Sequence, residues 1–156
     1  MGDKDWEANL EELIEELKII KNSKEESIEG FDQFCEFIAE PAFERLSDEL
    51  RRFKIKARHR REKPNSIHFW MNFPRSSIDE FHYIVFLPKD SIELKLKLRI
   101  RGRPDKKSPL QDNEEDFMKE VTASKVLKVS YEDLINDVLE QYRKFKYSIL
   151  PQPEQQ

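Results

Sequence analysis

Trp6, Leu10, Leu13, Ile14, Leu17 and Ile20 recur three and four positions apart, with Glu11, Glu12, Glu15 and Glu16 between them. That spacing predicts an amphipathic helix from about Asp5 to Lys21. Asn22 and Ser23 interrupt the pattern, and a second helical stripe follows through Ile28, Phe31, Phe34, Cys35, Ile38, Ala42, Leu46 and Leu50. Pro41 falls inside this stripe, where it removes one backbone hydrogen bond, so a kink or a restart is expected there with the stripe maintained.

Beyond Arg52 the period drops to two. Phe53, Ile55, Ala57 and His59 alternate with Lys54, Lys56, Arg58 and Arg60. After the turn 62-EKPNS-66, Ile67, Phe69, Met71 and Phe73 alternate with His68, Trp70 and Asn72. Two strands in a hairpin are predicted. The run 81-FHYIVFL-87 is apolar on both parities, as expected of a strand covered on both faces. In 92-IELKLKLRIRGR-103 the aliphatic row Ile92, Leu94, Leu96, Leu98 and Ile100 opposes Glu93, Lys95, Lys97, Arg99 and Arg101. Four strands with short connections read most simply as an antiparallel meander. Residues 105–116 read as a polar linker and 125–129 as a weaker candidate for a fifth strand. Ser130 and Asp133 approximate a capping box for a last helix carrying Tyr131, Leu134, Ile135, Val138, Tyr142 and Phe145, which Pro151 and Pro153 stop.

The expected fold is therefore α+β: a four-stranded antiparallel β-meander with N-terminal helices and a C-terminal helix packed on it. Residues 1–150 are expected to form one domain. Within it, residues 1–22 are an acidic amphipathic helix lying on the open sheet face or at an interface, and residues 151–156 are a disordered tail. A chain of 156 residues suffices for one core.

Charge adds an asymmetry to this picture. Residues 1–50 carry 5 Lys and Arg against 16 Asp and Glu; residues 51–109 carry 17 against 6; residues 110–156 carry 6 against 10. An acidic, basic, acidic order points to an anionic partner or to self-complementarity. Cys35 is the single cysteine, so neither an intramolecular disulfide nor a cysteine-rich zinc site is expected, and a reducing, cytoplasmic setting fits. The N-terminal residues are acidic where a signal peptide would be basic, and the longest apolar run is Tyr83 to Leu87, so no membrane association is expected. Gly2, Gly30 and Gly102 are too dispersed for a phosphate-cradling loop.

With one sheet face packed on helices, the other presents Lys54, Lys56, Arg58 and Arg60 on one outer strand and Lys95, Lys97, Arg99 and Arg101 on the other. His68 and Trp70 lie between them, joined by His82, Ile84 and Phe86 or by the opposite parity of that strand. A basic face with an aromatic centre suits a small, non-catalytic binding or regulatory protein without a cofactor. Its expected partner is an acidic protein surface or a second copy of the chain, as a homodimer. Lysines and arginines on edge strands also discourage edge-to-edge association, without any ligand. Single-stranded nucleic acid, with bases stacked on the aromatics and phosphates along the cations, is the alternative.

Another alternative comes from spacing. Asp79 ahead of Glu93-Leu94-Lys95 resembles the D…ExK core of PD-(D/E)xK nucleases, although Pro74 does not immediately precede Asp79. The resemblance implies two carboxylates holding magnesium and a lysine that helps activate water. His59 shares the parity of Phe53 and Ile55 and is expected to pack, as is Cys35 within its apolar stripe.

Overall fold

The computed structural model describes residues 3–73 and 80–149. Asp79 and the tail 151–156 lie outside the described residues. The first helical pattern does not stop at Asn22 and Ser23: α1 runs unbroken over Asp3–Phe34. It passes through a π turn, Cys35–Ala39, into α2, Glu40–Arg52. The widened turn is the response to Pro41, which has no N–H to offer the preceding turn. The N–H of Glu40 reaches back five residues to the carbonyl of Cys35, and the helix continues without a break in its buried stripe.

Five strands follow, in the order β1 (Lys56–Glu62), β2 (Ser66–Asn72), β3 (Glu80–Phe86), β4 (Lys97–Arg103) and β5 (Gln111–Asp116). They form one antiparallel meander in which neighbours in sequence are neighbours in space. A 3₁₀ turn, Ala123–Lys128, leads to α3, Tyr131–Ile149, whose start is capped by Ser130 Oγ accepting the N–H of Asp133 at 3.0 Å.

Three expectations are corrected here. The expected four strands are five, because part of the presumed polar linker is β5. Its inner parity, Gln111, Asn113 and Glu115, carries no apolar row, so it lacks the usual strand signature. What holds it is its register on β4, which sets Asp112, Glu114 and Asp116 opposite Arg101, Arg99 and Lys97. The candidate strand at 125–129 is instead largely the 3₁₀ turn, with Val126 and Val129 buried. Finally, the opening alternation at 92–103 is strand only from Lys97. β3 ends at Phe86, opposite Lys97, so the residues before Lys97 have no neighbour on which to build a ladder.

Lys54 also leaves the strand it was expected to join. It takes a positive φ of 61° and closes α2, with the N–H of Ile55 reaching the carbonyl of Leu50 at 3.0 Å, while Phe53 points into solvent. This is the left-handed turn that ends many helices, here formed without glycine.

The core lies on one side of the sheet. Ile67, Phe69 and Met71 of β2, Phe81, Tyr83 and Val85 of β3, and Leu98 and Ile100 of β4 face α2 and α3. Phe43 of α2 stacks on Phe69 with ring centroids 5.0 Å apart and meets Tyr83 edge-on at 6.2 Å. Phe31 and Phe34 close one end with Phe117, and Phe145 of α3 packs on Phe81. Cys35 sits within this core, where burial pushes its thiol up to about 12 and makes it unreactive.

Gly102 occupies the inner row of β4. A Cβ there would stand 2.4 Å from the carbonyl oxygen of Glu80 and 2.7 Å from the ring of Phe145. Gly102→Ala is expected to destabilise the fold by about 1–3 kcal/mol through overpacking against backbone. Gly30→Ala, which meets only the flexible end of Leu94, is expected to cost less. Urea denaturation of the two variants beside the parent gives the comparison.

Candidate functional site on the open sheet face

The outer parity of the strands carries the candidate residues. Lys56, Arg58 and Arg60 come from β1, His68 and Trp70 from β2, His82, Ile84 and Phe86 from β3, and Lys97, Arg99 and Arg101 from β4. Among the described residues no helix packs over them. α1 meets the inner side through Asp32 and Arg61, α2 through Phe43, and α3 through Tyr83 and Phe81. Lys54 and Lys95 do not belong to the face, one lying in the turn after α2 and the other in the irregular segment before β4. Glu93 lies in that same segment, so the strand that a D…ExK site requires is absent around Glu93 and Lys95. No group of three metal-ligating side chains is present among the described residues.

At the centre the rings form a stack. Arg58 Cζ lies 4.2 Å from the centroid of the Trp70 ring, and His82 lies against Trp70 at 4.3 Å, nearly parallel. His68 completes the group 4.8 Å from His82. The register produces this arrangement, since Arg58, Trp70 and His82 are directly paired across three adjacent strands. His82 and Ile84 are buried although no helix among the described residues covers them. Within the sheet His82 lies between Trp70 and Arg101, and Ile84 between His68 and Arg99, whose guanidinium sits over Phe86 at 5.0 Å.

A hydrogen-bond chain runs through the two histidines. His68 Nδ1 and His82 Nε2 are 2.7 Å apart, and His68 Nε2 is 3.1 Å from Ser66 Oγ and 3.3 Å from Glu62 Oε2. One direction of donation satisfies every member. His82 Nε2–H donates to His68 Nδ1, His68 Nε2–H donates towards Ser66 and Glu62, and the Ser66 hydroxyl donates to the Glu62 carbonyl. Both rings are then neutral. Burial, the neighbouring His68 ring, and Arg101 and Arg58 hold His82 down to about 3; burial also lowers His68, against the pull of Glu62.

The two cationic margins are not equivalent. On the β4 side the cations are matched within the sheet: Lys97 binds Asp116, Arg99 lies 3.4 Å from Glu114, and Arg101 lies 3.1 Å from Asp112. The hydrogen bond and charge of Lys97 lower the Asp116 carboxyl. On the β1 side Lys56 and Arg58 have no carboxylate within reach among the described residues, and Arg60 has only the distant Glu62 at 3.9 Å. A depression of about 230 Å³ lies beside them, lined in part by Lys56, Arg58, Trp70 and Asn72.

A second group escaped the sequence reading altogether. The buried Tyr83 hydroxyl donates to Asp137 Oδ2 at 2.5 Å, and Gln141 donates to Glu115 at 3.0 Å, beside a cleft of about 350 Å³ between β5 and α3. Burial raises both Asp137 and Tyr83. The packing of α3 on the sheet brings Tyr83 to Asp137, the pairing of β5 brings Glu115 to Gln141, and no spacing along the chain announces either.

No protein-family model matches the chain, and neither a curated protein nor a solved structure matches it.

The depressed His82 has a consequence for acid stability. An unfolded histidine binds its proton near 6.5, while folded His82 binds it only near 3, so between these values the unfolded state holds more protons. The stabilisation is present above pH 6.5 and is lost as pH falls towards 3. The melting temperature of the parent is expected to fall more steeply from pH 7 to pH 4 than that of His82→Phe, which keeps the stack. Equal slopes would show that His82 charges freely in the folded protein.

Proposed function

We propose that this protein is a small non-catalytic binding or regulatory module whose open sheet face engages an acidic segment of a partner protein. The observation that carries the reading is the asymmetric face. An aromatic centre of Arg58, Trp70 and His82 sits beside a β1 margin where Lys56 and Arg58 have no carboxylate partner among the described residues and Arg60 only Glu62 at 3.9 Å, while the β4 cations are paired with β5. A segment lying over β1 and Trp70 gains charge pairing from Lys56, Arg58 and Arg60 and apolar contact from the indole. β1 is also an edge strand, so extended backbone can pair along it.

Protein is favoured over nucleic acid by the row of Asp112, Glu114 and Asp116 on the same face. A polyphosphate crossing the sheet from β1 would run into these carboxylates, whereas a short peptide need not reach them. Ion pairs at exposed sites contribute roughly 0.2–1 kcal/mol each, so the three β1 cations together supply about a tenfold preference for an acidic ligand.

The test uses a Trp6→Phe background, in which Trp70 is the remaining tryptophan, titrated with a peptide alternating glutamate and leucine and separately with oligothymidylate. Quenching or a spectral shift of Trp70 by the peptide is expected. Lys56→Gln combined with Arg58→Gln and Arg60→Gln should weaken peptide binding by about tenfold without lowering the melting temperature. No response to the peptide would overturn the proposal. So would tighter binding of the oligonucleotide, with a steep salt dependence that the triple variant makes shallower, and in that case the face would belong to nucleic acid.

A further inference from the structure

The first two-thirds of α1 stands clear of its own chain. Every described side chain from Asp5 to Asn22 is exposed, Trp6 at 57% and Leu17 at 55%, and the first buried side chain described on the helix is Ser27. A helix of this kind is held in water mainly by covering its apolar stripe, because the turn-by-turn hydrogen bonds alone are marginal. The stripe is also more regular than that of an ordinary surface helix. Trp6, Leu10, Leu13, Leu17 and Ile20 are spaced four, three, four and three apart, which is the alternation of a two-helix seam.

We infer that α1 pairs antiparallel with α1 of a second copy of this chain, with Trp6 seated at the base of the partner's helix. The antiparallel register that sets alternate seam positions against each other places Leu10 opposite Ile20 and Leu13 opposite Leu17 of the other copy. The same register carries Glu7 to Lys21 across the seam twice, and sets Ile14 beside its own symmetry mate. A parallel pair would instead place Lys24 on Lys24 within the seam and align all of Glu11, Glu12, Glu15 and Glu16 of both copies at one height, whereas the antiparallel register brings only Glu15 and Glu16 level with their symmetry mates.

Length and shape agree with this register. The seam runs from Trp6 to Lys24, about 27 Å of helix, and the start of α1 at Asp3 falls level with Ser27, where burial against the body begins. Opposite Trp6 the register places Lys24, and there the chain has a cavity of about 280 Å³ with a mostly apolar lining that includes Lys24, Ile28, Pro64, Leu87 and Pro88. The ammonium of Lys24 is drawn aside to Asp90 at 3.3 Å, leaving its stem to line the opening. An indole is of the right size and polarity to fill it.

Sedimentation of the full chain across a concentration series, with Trp70→Phe as background so that Trp6 alone reports, tests the pairing. A dimer with blue-shifted Trp6 emission is expected. Leu13→Glu should give a monomer whose body melts as in the parent, since Leu13 is exposed and lies on the part of α1 with no buried side chain described. Glu7→Lys and Lys21→Glu should each weaken the dimer by about tenfold, and the two together should restore it, since in this register the swapped charges meet again. A monomeric parent at all concentrations would overturn the inference. A dimer that the double exchange fails to restore would overturn the antiparallel register, since in a parallel pair Lys21→Glu faces Glu16 and Glu7→Lys offers no rescue.

Discussion

Among the described residues helices cover the sheet on one side only, so the side chains on the other parity find their partners within its own plane. That constraint organises the outer face. The central strand β3 is apolar on both parities, and on its inner side Phe81, Tyr83 and Val85 meet α2 and α3. On its outer side no helix among the described residues covers His82 and Ile84, yet they are buried, flanked in the sheet by Trp70 and Arg101 and by His68 and Arg99. Long cationic side chains suit this work, since their stems cover apolar surface while the charged ends stay in water.

The same constraint explains why β4 and β5 belong together. A row of Lys97, Arg99 and Arg101 on one strand repels itself, and nothing from another layer brings counter-charge. β5 supplies it strand to strand, one carboxylate opposite each cation. Each such exposed pair contributes little alone, about 0.2–1 kcal/mol. Three in register suffice to select which segment of a polar linker pairs and in what alignment, since a one-residue slip would turn the carboxylates to the other side of the sheet. Neutralising β4 leaves Lys56 and Arg58 of β1 as the cations of this face without a carboxylate partner among the described residues, which gives the face a direction.

The long helix has a division of labour along its length. Its second half, through the π turn at Cys35–Ala39 and into α2, is an ordinary core helix, with Pro41 absorbed by one widened turn. Its first half adds nothing to the core and carries most of its polar positions as carboxylates. Pairing of two such arms would set two asymmetric sheet faces in one assembly, so that a partner with two acidic segments gains by linkage as well as by contact.

Much of this was legible in the chain itself. The period of 3.6 through Phe31–Leu50 and the period of two through Ile67–Phe73 and Leu98–Ile100 specify helix and strand directly, because burial of one face leaves its mark on alternate positions. The cations at Lys56, Arg58, Arg60, Lys97, Arg99 and Arg101 and the ring pair His68 and Trp70 fall on a common face for the same reason. Where an element is not built on apolar burial, the sequence is silent. β5 is stabilised by the charges of its neighbour and so reads as linker. Lys95 keeps a perfect alternation but has no strand opposite it, since the end of β3 sets the start of β4. Lys54 loses its place to the turn that ends α2. Tyr83 and Asp137, far apart along the chain, become neighbours only when α3 packs on the sheet. Local periodicity determined which residues share a face; the tertiary structure decided which faces are covered and which charges meet, because those depend on partners distant in sequence.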